Sequence, residues 1–269
     1  MTGTDIGGSG AFWTSGAAMD LRFVEVDELL DQVNARFYAE DEARRQEWYA
    51  GEATAWLYHE LQLEGVPVHK GDLPRAAAGE EGADYCDRVL LAQIRRGADL
   101  LVDVRSRAED EEPLRMGVLS QWQQQLSGED EVQVRTTEGA TEHYKHDVAP
   151  AREAIAEASR VLASAEEIRH TEHPLRVASE LVYGLGKAWP FTTWSAACAR
   201  LAASSALIGR GYPPLIVPVR ERANFYLAYH YDPSRLEALV LRCVRAHLQA
   251  KLAFLDGKMQ LSGMWTEGE

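Results

Sequence analysis

Apolar residues recur at intervals of three and four along most of the chain, which predicts a helical protein. Val26, Leu30 and Val33 begin this pattern, and Gly or Pro residues interrupt it at intervals. Residues 68–83, rich in Gly and Ala, and the acidic run 109–112 are predicted to be loops. The predicted helices lie near residues 25–39, 41–63, 84–100, 113–128, 150–169, 175–188, 192–208, 220–231 and 234–256.

The period changes once, between residues 132 and 148. Val132, Val134 and Thr136 alternate there with polar residues, residues 138–141 can turn the chain, and residues 142–148 can return it. Alternation with a period of two is typical of a β-strand. The fold class predicted is therefore all-α with one β-hairpin insertion.

The helix that follows residue 191 is unusually apolar. From Phe191 to Gly209 the only charged residue is Arg200. Thr192 and Thr193 can cap its first turn, and the helix should be buried nearly all round. Because an unpaired buried charge costs several kcal/mol, Arg200 needs a partner elsewhere in the chain.

Glu64 is the partner that helical spacing indicates for Arg200. Leu57, Leu61 and Glu64 are spaced four and three residues apart, so Glu64 shares the apolar face of its helix. A guanidinium can bind a carboxylate through two parallel hydrogen bonds. We therefore expect a buried, bidentate Glu64–Arg200 salt bridge.

Composition and charge narrow the class of protein. With 269 residues and 46% hydrophobic content, the chain can bury a large core, and we expect a flexible leader at 1–20 followed by one domain at 21–269. The net charge is 28 − 42 = −14, which argues against binding to nucleic acid or to anionic membranes. Three ungrouped cysteines favour a cytoplasmic location, and no apolar run is long enough for a membrane span.

The segment Trp189-Pro-Phe-Thr-Thr-Trp-Ser-Ala-Ala-Cys-Ala-Arg200 resembles the signature of Fic (Fido-domain) proteins, His-Pro-Phe-x-x-Gly-Asn-Gly-Arg-x-x-Arg. Pro190, Phe191 and Arg200 match that signature. Trp189 stands at the position of the catalytic histidine, and Thr193 at that of the acidic, metal-binding residue. Trp194-Ser-Ala-Ala197 replaces Gly-Asn-Gly-Arg.

The resemblance implies further features. The hairpin would be the family's flap, which holds the target segment, and its residues Arg135, Thr136, His143 and Tyr144 would face the site. Glu60-Leu-Gln-Leu-Glu64-Gly65 resembles the family's inhibitory helix, Ser/Thr-x-x-x-Glu-Gly/Asn, with Glu60 in place of the hydroxyl residue. In that helix the glutamate pairs with the last arginine of the signature, which corresponds here to Glu64 with Arg200.

The replaced residues remove the chemistry of AMP transfer. Trp189 cannot act as a base, Ala197 cannot hold a phosphate, and Thr193 is a poor sole ligand for magnesium. We therefore expect no metal, no other cofactor and no AMP transfer. The candidate ligand pocket consists of the signature positions Trp189, Phe191, Thr192, Thr193, Trp194, Ser195 and Arg200. The nearby His173-Pro174 is expected to be only a helix start.

Two classes of function remain open at this point. The first is a pseudoenzyme that binds a protein partner or a small ligand, and the tryptophans would suit a planar or aromatic ligand. The second is an enzyme, either a small-molecule biosynthetic enzyme that uses the remodelled pocket or a residual nucleotidyl or phosphoryl transferase. Substrate, partner and oligomeric state cannot be predicted from the sequence.

Overall fold

A computed structural model describes residues 21–139, 147–231 and 233–259. It confirms an all-α fold, since the described residues form helices and no sheet. The predicted leader at 1–20 lies outside the described residues. The helices are α1 (Leu21–Phe37), α2 (Glu42–Leu63), α3 (Asp72–Ala77), α4 (Tyr85–Ala98), α5 (Leu100–Glu109), α6 (Met116–Ser127), α7 (Ala154–Ile168), α8 (Pro174–Ala188), α9 (Ser195–Ile208), α10 (Arg222–Tyr231) and α11 (Pro233–Leu255). Short 3₁₀ turns at Ala151–Glu153 and Val219–Glu221 precede α7 and α10.

Two helices were not predicted. The short helix α3 lies within the segment that we expected to be a loop, and α5 follows the helix that we predicted to end near residue 100, which is α4. The signal for α5 was present, because Leu101, Val104 and Ala108 are buried at helical spacing. The acidic run, predicted to be a loop, follows α5 except for Glu109, which is its last residue, and α5 itself was missed.

Helix boundaries elsewhere follow local chemistry. Asp41 and Asp84 each accept a hydrogen bond from the backbone N–H three residues ahead, and so cap α2 and α4. We predicted α6 to begin at Pro113, and it begins three residues later. It ends as expected at Gly128, whose φ is 74°.

The predicted hairpin is not seen in the described residues. Most of its return strand lies at residues 140–146, which are outside them. Its first half, which we call the strap (residues 132–139), forms no regular strand and makes one isolated antiparallel bridge, between Val134 and Phe191. The alternating pattern of the strap is therefore matched by pairing with the segment before α9.

Helix α9 lies at the centre of the molecule. All of its residues except Ala206 are buried. Its small side chains let neighbouring helices approach on every side, which fits a helix without a polar face. Ala197, Cys198 and Leu201 join a hydrophobic cluster with α2 and α4–α8, whereas Ala203 and Leu207 join a second cluster with α1, α8, α10 and α11.

Candidate functional site

The candidate site is the connection between α8 and α9, residues 189–194, which we call the motif loop. Trp189 ends α8 with φ 47°, and Trp194 precedes α9 with φ 65°. Both backbones are in the left-handed region, which costs a non-glycine residue of the order of 1–2 kcal/mol. The residue before α9 is thus Trp194, without a side-chain cap, and the expectation that Thr192 and Thr193 cap this helix is wrong.

Three aromatic rings of the loop point into the protein interior. Trp189 and Phe191 are 1% and 0% exposed, and Trp194 is 9% exposed. Phe191 and Trp194 belong to the cluster on the α2 and α6 side of α9, and Trp189 to the cluster on the α1 and α11 side. The loop therefore contributes core residues to both sides of the central helix.

Hydroxyl groups hold the loop in this shape. The Ser195 Oγ atom accepts a hydrogen bond from the Phe191 N–H at 2.8 Å and donates one to the Phe191 carbonyl at 2.9 Å. The exposed Thr193 donates through Oγ1 to the side-chain carbonyl of Gln133 at 3.0 Å. The fully buried Gln123 donates to the same hydroxyl at 3.4 Å and accepts from the Gln133 N–H.

The strap covers the backbone edge of the motif loop. The Arg135 N–H donates to the Pro190 carbonyl at 3.0 Å, and the Thr192 N–H donates to the Gln133 carbonyl at 2.8 Å. The Thr192 hydroxyl also donates to the carbonyl of Val134. These bonds close the loop edge with a segment of the same chain.

Arg135 is buried behind this edge, and its guanidinium donates only to backbone oxygens in the contacts seen. Its Nε donates to the Trp189 carbonyl at 2.8 Å, and its Nη atoms donate to four other carbonyls, those of Thr137, Gly139, Ala149 and Ala188. Two of these acceptors end α8, where a positive charge is favourable. Burial lowers the pKa of Arg135. Of the other predicted flap residues, Thr136 is exposed, and His143 and Tyr144 lie outside the described residues.

Arg200 is completely buried and is held by two carboxylates from the last turn of α2. Its Nη2 lies 2.9 Å from Glu64 Oε1. Its Nε lies 2.9 Å from both oxygens of Glu60, and its Nη2 lies 2.6 Å from Glu60 Oε2. The bidentate contact that we expected from Glu64 is thus made by Glu60, which we had not predicted as a partner of Arg200.

Burial dominates the electrostatics of this cluster. Glu60 is 1% exposed, and its burial raises the pKa of its carboxyl group, against the lowering effect of Arg200. The nearby Glu64 charge adds to the rise. On its other side the Arg200 guanidinium carbon lies 5.2 Å from the centre of the Phe225 ring.

His173 starts α8. Its Nδ1 accepts a hydrogen bond from the Leu175 N–H at 3.2 Å, and its Nε2 lies 3.1 Å from a carboxylate oxygen of Asp27. Its ring stacks on Phe23 with centroids 4.2 Å apart. One ring nitrogen of His173 caps α8, and the other faces Asp27 on α1. Both nitrogens are therefore engaged in contacts that hold α1 against α8.

Several solved structures resemble this fold. A FIC-domain-containing signaling protein from Bacteroides thetaiotaomicron has a TM-score of 0.73 and 15% identity, over 86% of this chain and 99% of that one. Fic-1 (residues 134–508) from C. elegans has a TM-score of 0.69 and 18% identity, over 89% of this chain and 71% of that one. A Fic family protein from Desulfovibrio desulfuricans has a TM-score of 0.63 and 14% identity, over 92% and 79%. The fold is that of Fic-domain proteins.

By sequence, no protein-family model and no curated protein matches the chain. At 14–18% identity the Fic structures establish the fold alone. None of the helices in the described ranges is long and apolar enough to cross a membrane.

The residues of this Fic fold do not fit a magnesium ion. Thr193 offers one neutral oxygen, which is engaged with Gln133, and magnesium prefers carboxylate and phosphate oxygens. Over residues 21–139, 147–231 and 233–259, no three His, Cys, Asp or Glu side chains group as a metal site. Burial also raises the pKa of the Cys198 thiol, so this buried cysteine is not a ready nucleophile.

Sequence reasoning named the loop residues but missed three residues that hold them. Gln123 and Gln133 fix Thr193, and Glu60 fixes Arg200. A signal existed for Glu60, because it lies one turn before Glu64 and therefore on the same side of α2. No comparable signal identifies the two glutamines.

Proposed function

We propose that this Fic-fold chain does not transfer AMP and acts by binding a ligand or a protein partner. The observation that carries the proposal is the burial of Trp189, which is 1% exposed at the position where the family's signature has its histidine. An indole accepts no proton at any accessible pH, and a ring inside the core cannot reach a target hydroxyl. The signature loop therefore acts as scaffold.

Two further observations support the absence of nucleotide chemistry. The cation that matches the signature's last arginine, Arg200, is neutralised by Glu60 and Glu64. The backbone edge of the motif loop is hydrogen-bonded to the strap. A phosphate would have to displace carboxylates that share the same helix and are partly or wholly buried.

The alternative of a remodelled enzyme pocket has less support. That alternative needs the rings of Trp189 and Trp194 to face a cavity, together with a titratable group. Both rings instead pack within hydrophobic clusters. Binding at the outer surface, by a partner, fits this packing better than catalysis at the loop.

Incubation with labelled magnesium-ATP and candidate proteins tests the proposal. We expect no AMP on the chain or on the other proteins, and we expect Trp189→His to restore none, because the phosphate-holding residues are also replaced. ATP at millimolar concentration should leave the melting temperature unchanged, whereas a ligand at 100 times its Kd would stabilise by about 2.7 kcal/mol. A mass increase of one AMP group that requires this chain would overturn the proposal.

A further inference from the structure

The two carboxylates on Arg200 are not equivalent. The Glu60 side chain is 1% exposed and meets both Nε and Nη2, with three oxygen–nitrogen distances of 2.6–2.9 Å. The Glu64 side chain is 12% exposed and meets Nη2 at 2.9 Å. Glu60 therefore grips the side of the guanidinium, and Glu64 approaches from the rim near solvent.

Repulsion between the two carboxylates makes the difference between Glu60 and Glu64 larger. Glu60 and Glu64 both contact the Nη2 atom of Arg200, so their two negative charges lie close together. Each carboxylate repels the other at short range in a region of low dielectric. Because Glu64 is nearer to water, its carboxylate can leave the guanidinium and become hydrated, which relieves this repulsion. The departure of Glu60 would leave Arg200 buried beside a rim carboxylate alone.

We infer that Glu60 is the permanent counter-ion of Arg200, and that removing Glu64 does not free Arg200 to bind an anion. This inference rests on the proposed function and supplies a mechanism for it, an internal contact that blocks the anion site even when the rim carboxylate is absent. Glu60 lies in the last turn of α2 and Glu64 is the C-cap of that helix, so the end of α2 carries the block.

Nitrogen-15 NMR of the Arg200 Nε–H group tests the inference directly. In the wild-type chain this proton should exchange slowly, because it donates to Glu60 in a buried site. Glu64→Ala should change its exchange rate by less than about tenfold. Glu60→Gln keeps the size of the side chain and removes its charge, and it should raise the rate by more than about tenfold.

Calorimetry with inorganic triphosphate provides a second readout on the same variants. We expect no binding heat for the wild-type chain or for Glu64→Ala. Fast exchange of the Arg200 Nε–H in Glu64→Ala would overturn the inference. So would binding of triphosphate to Glu64→Ala that is lost in the double variant Glu64→Ala with Arg200→Met. If Glu60→Gln fails to fold, Glu64→Ala tests the inference by itself, because Glu64→Ala keeps the buried Glu60–Arg200 pair.

The outcome is distinguishable from a failure of the proposed function. AMP transfer by the wild-type chain would contradict the proposed function and would leave the exchange of the Arg200 Nε–H unchanged. Conversely, an Arg200 freed by Glu64→Ala would contradict the inference even in a chain that transfers no AMP. The two experiments therefore report on separate claims.

Discussion

Two buried arginines, one on α9 and one on the strap, differ in the kind of partner that they contact. Arg200, on α9, faces the carboxylates of Glu60 and Glu64. Arg135, on the strap, donates to the carbonyls at the end of α8 and within the strap. The first contact neutralises a charge, and the second satisfies backbone groups that would otherwise lack donors.

Lys251 extends the comparison to a third kind of partner. It is 8% exposed, and within the described residues its ammonium nitrogen meets no hydrogen-bond acceptor; it lies 3.5 Å from the centre of the Phe37 ring. Its burial lowers its pKa to about 8, although the nearby Glu52 opposes the shift. The three buried cations therefore have three kinds of partner: carboxylates for Arg200, backbone carbonyls for Arg135 and an aromatic ring for Lys251.

The largest effect is expected from Arg200→Met. Removing the guanidinium leaves Glu60 charged in the core, and breaking a buried pair in this way costs about 3–5 kcal/mol. Denaturant unfolding measures the change. The matched control, Arg200→Met with Glu60→Met, should recover most of the loss, and a single variant as stable as the wild-type chain would show that the pair is not needed.

The next effect concerns Lys251 and pH. Between about pH 8 and 10.5 the unfolded chain binds a proton at this lysine that the folded chain has released, so the stability of the folded chain rises with pH in that window. Relative to Lys251→Met, the wild-type chain should gain up to about 3 kcal/mol across it. Parallel stability curves for the two chains would contradict the prediction.

The smallest effect is expected from Arg135→Ala, at about 1–3 kcal/mol, because its carbonyl partners lose hydrogen bonds without leaving a buried charge. Hydrogen exchange should quicken at the N–H of residue 135 and of Thr192, which join the strap to the loop. Arg135→Lys keeps the charge without the five donors and should recover only part of the stability. Unchanged exchange at both positions would mean that the strap is held by other contacts.

The sequence predicted the helical core well, because spacing of three and four residues reports directly on burial. Helix α9 is the clearest example, since its run of small apolar residues required contact on all sides. The same reasoning led from the apolar face of α2 to a carboxylate beside Arg200. It could not rank Glu60 against Glu64, because depth of burial depends on the neighbouring helices rather than on one helix face.

The loop itself was harder to predict. Thr192 and Thr193 are good capping residues, but both bond to the strap, which lies about 60 residues away along the chain. Trp194 adopts a left-handed backbone that favours glycine. Contacts between distant segments overrode local propensity at these positions, and a single sequence does not show such contacts.

The burial of Trp189 and Trp194 bears on how this chain could change over generations. Replacing a core tryptophan by a much smaller residue typically costs about 3–5 kcal/mol, and a whole domain has only about 5–15 kcal/mol of stability. Each step toward the histidine and glycine of the Fic signature would therefore empty part of the core. Selection acting on one substitution at a time would therefore meet unstable intermediates between this sequence and that signature.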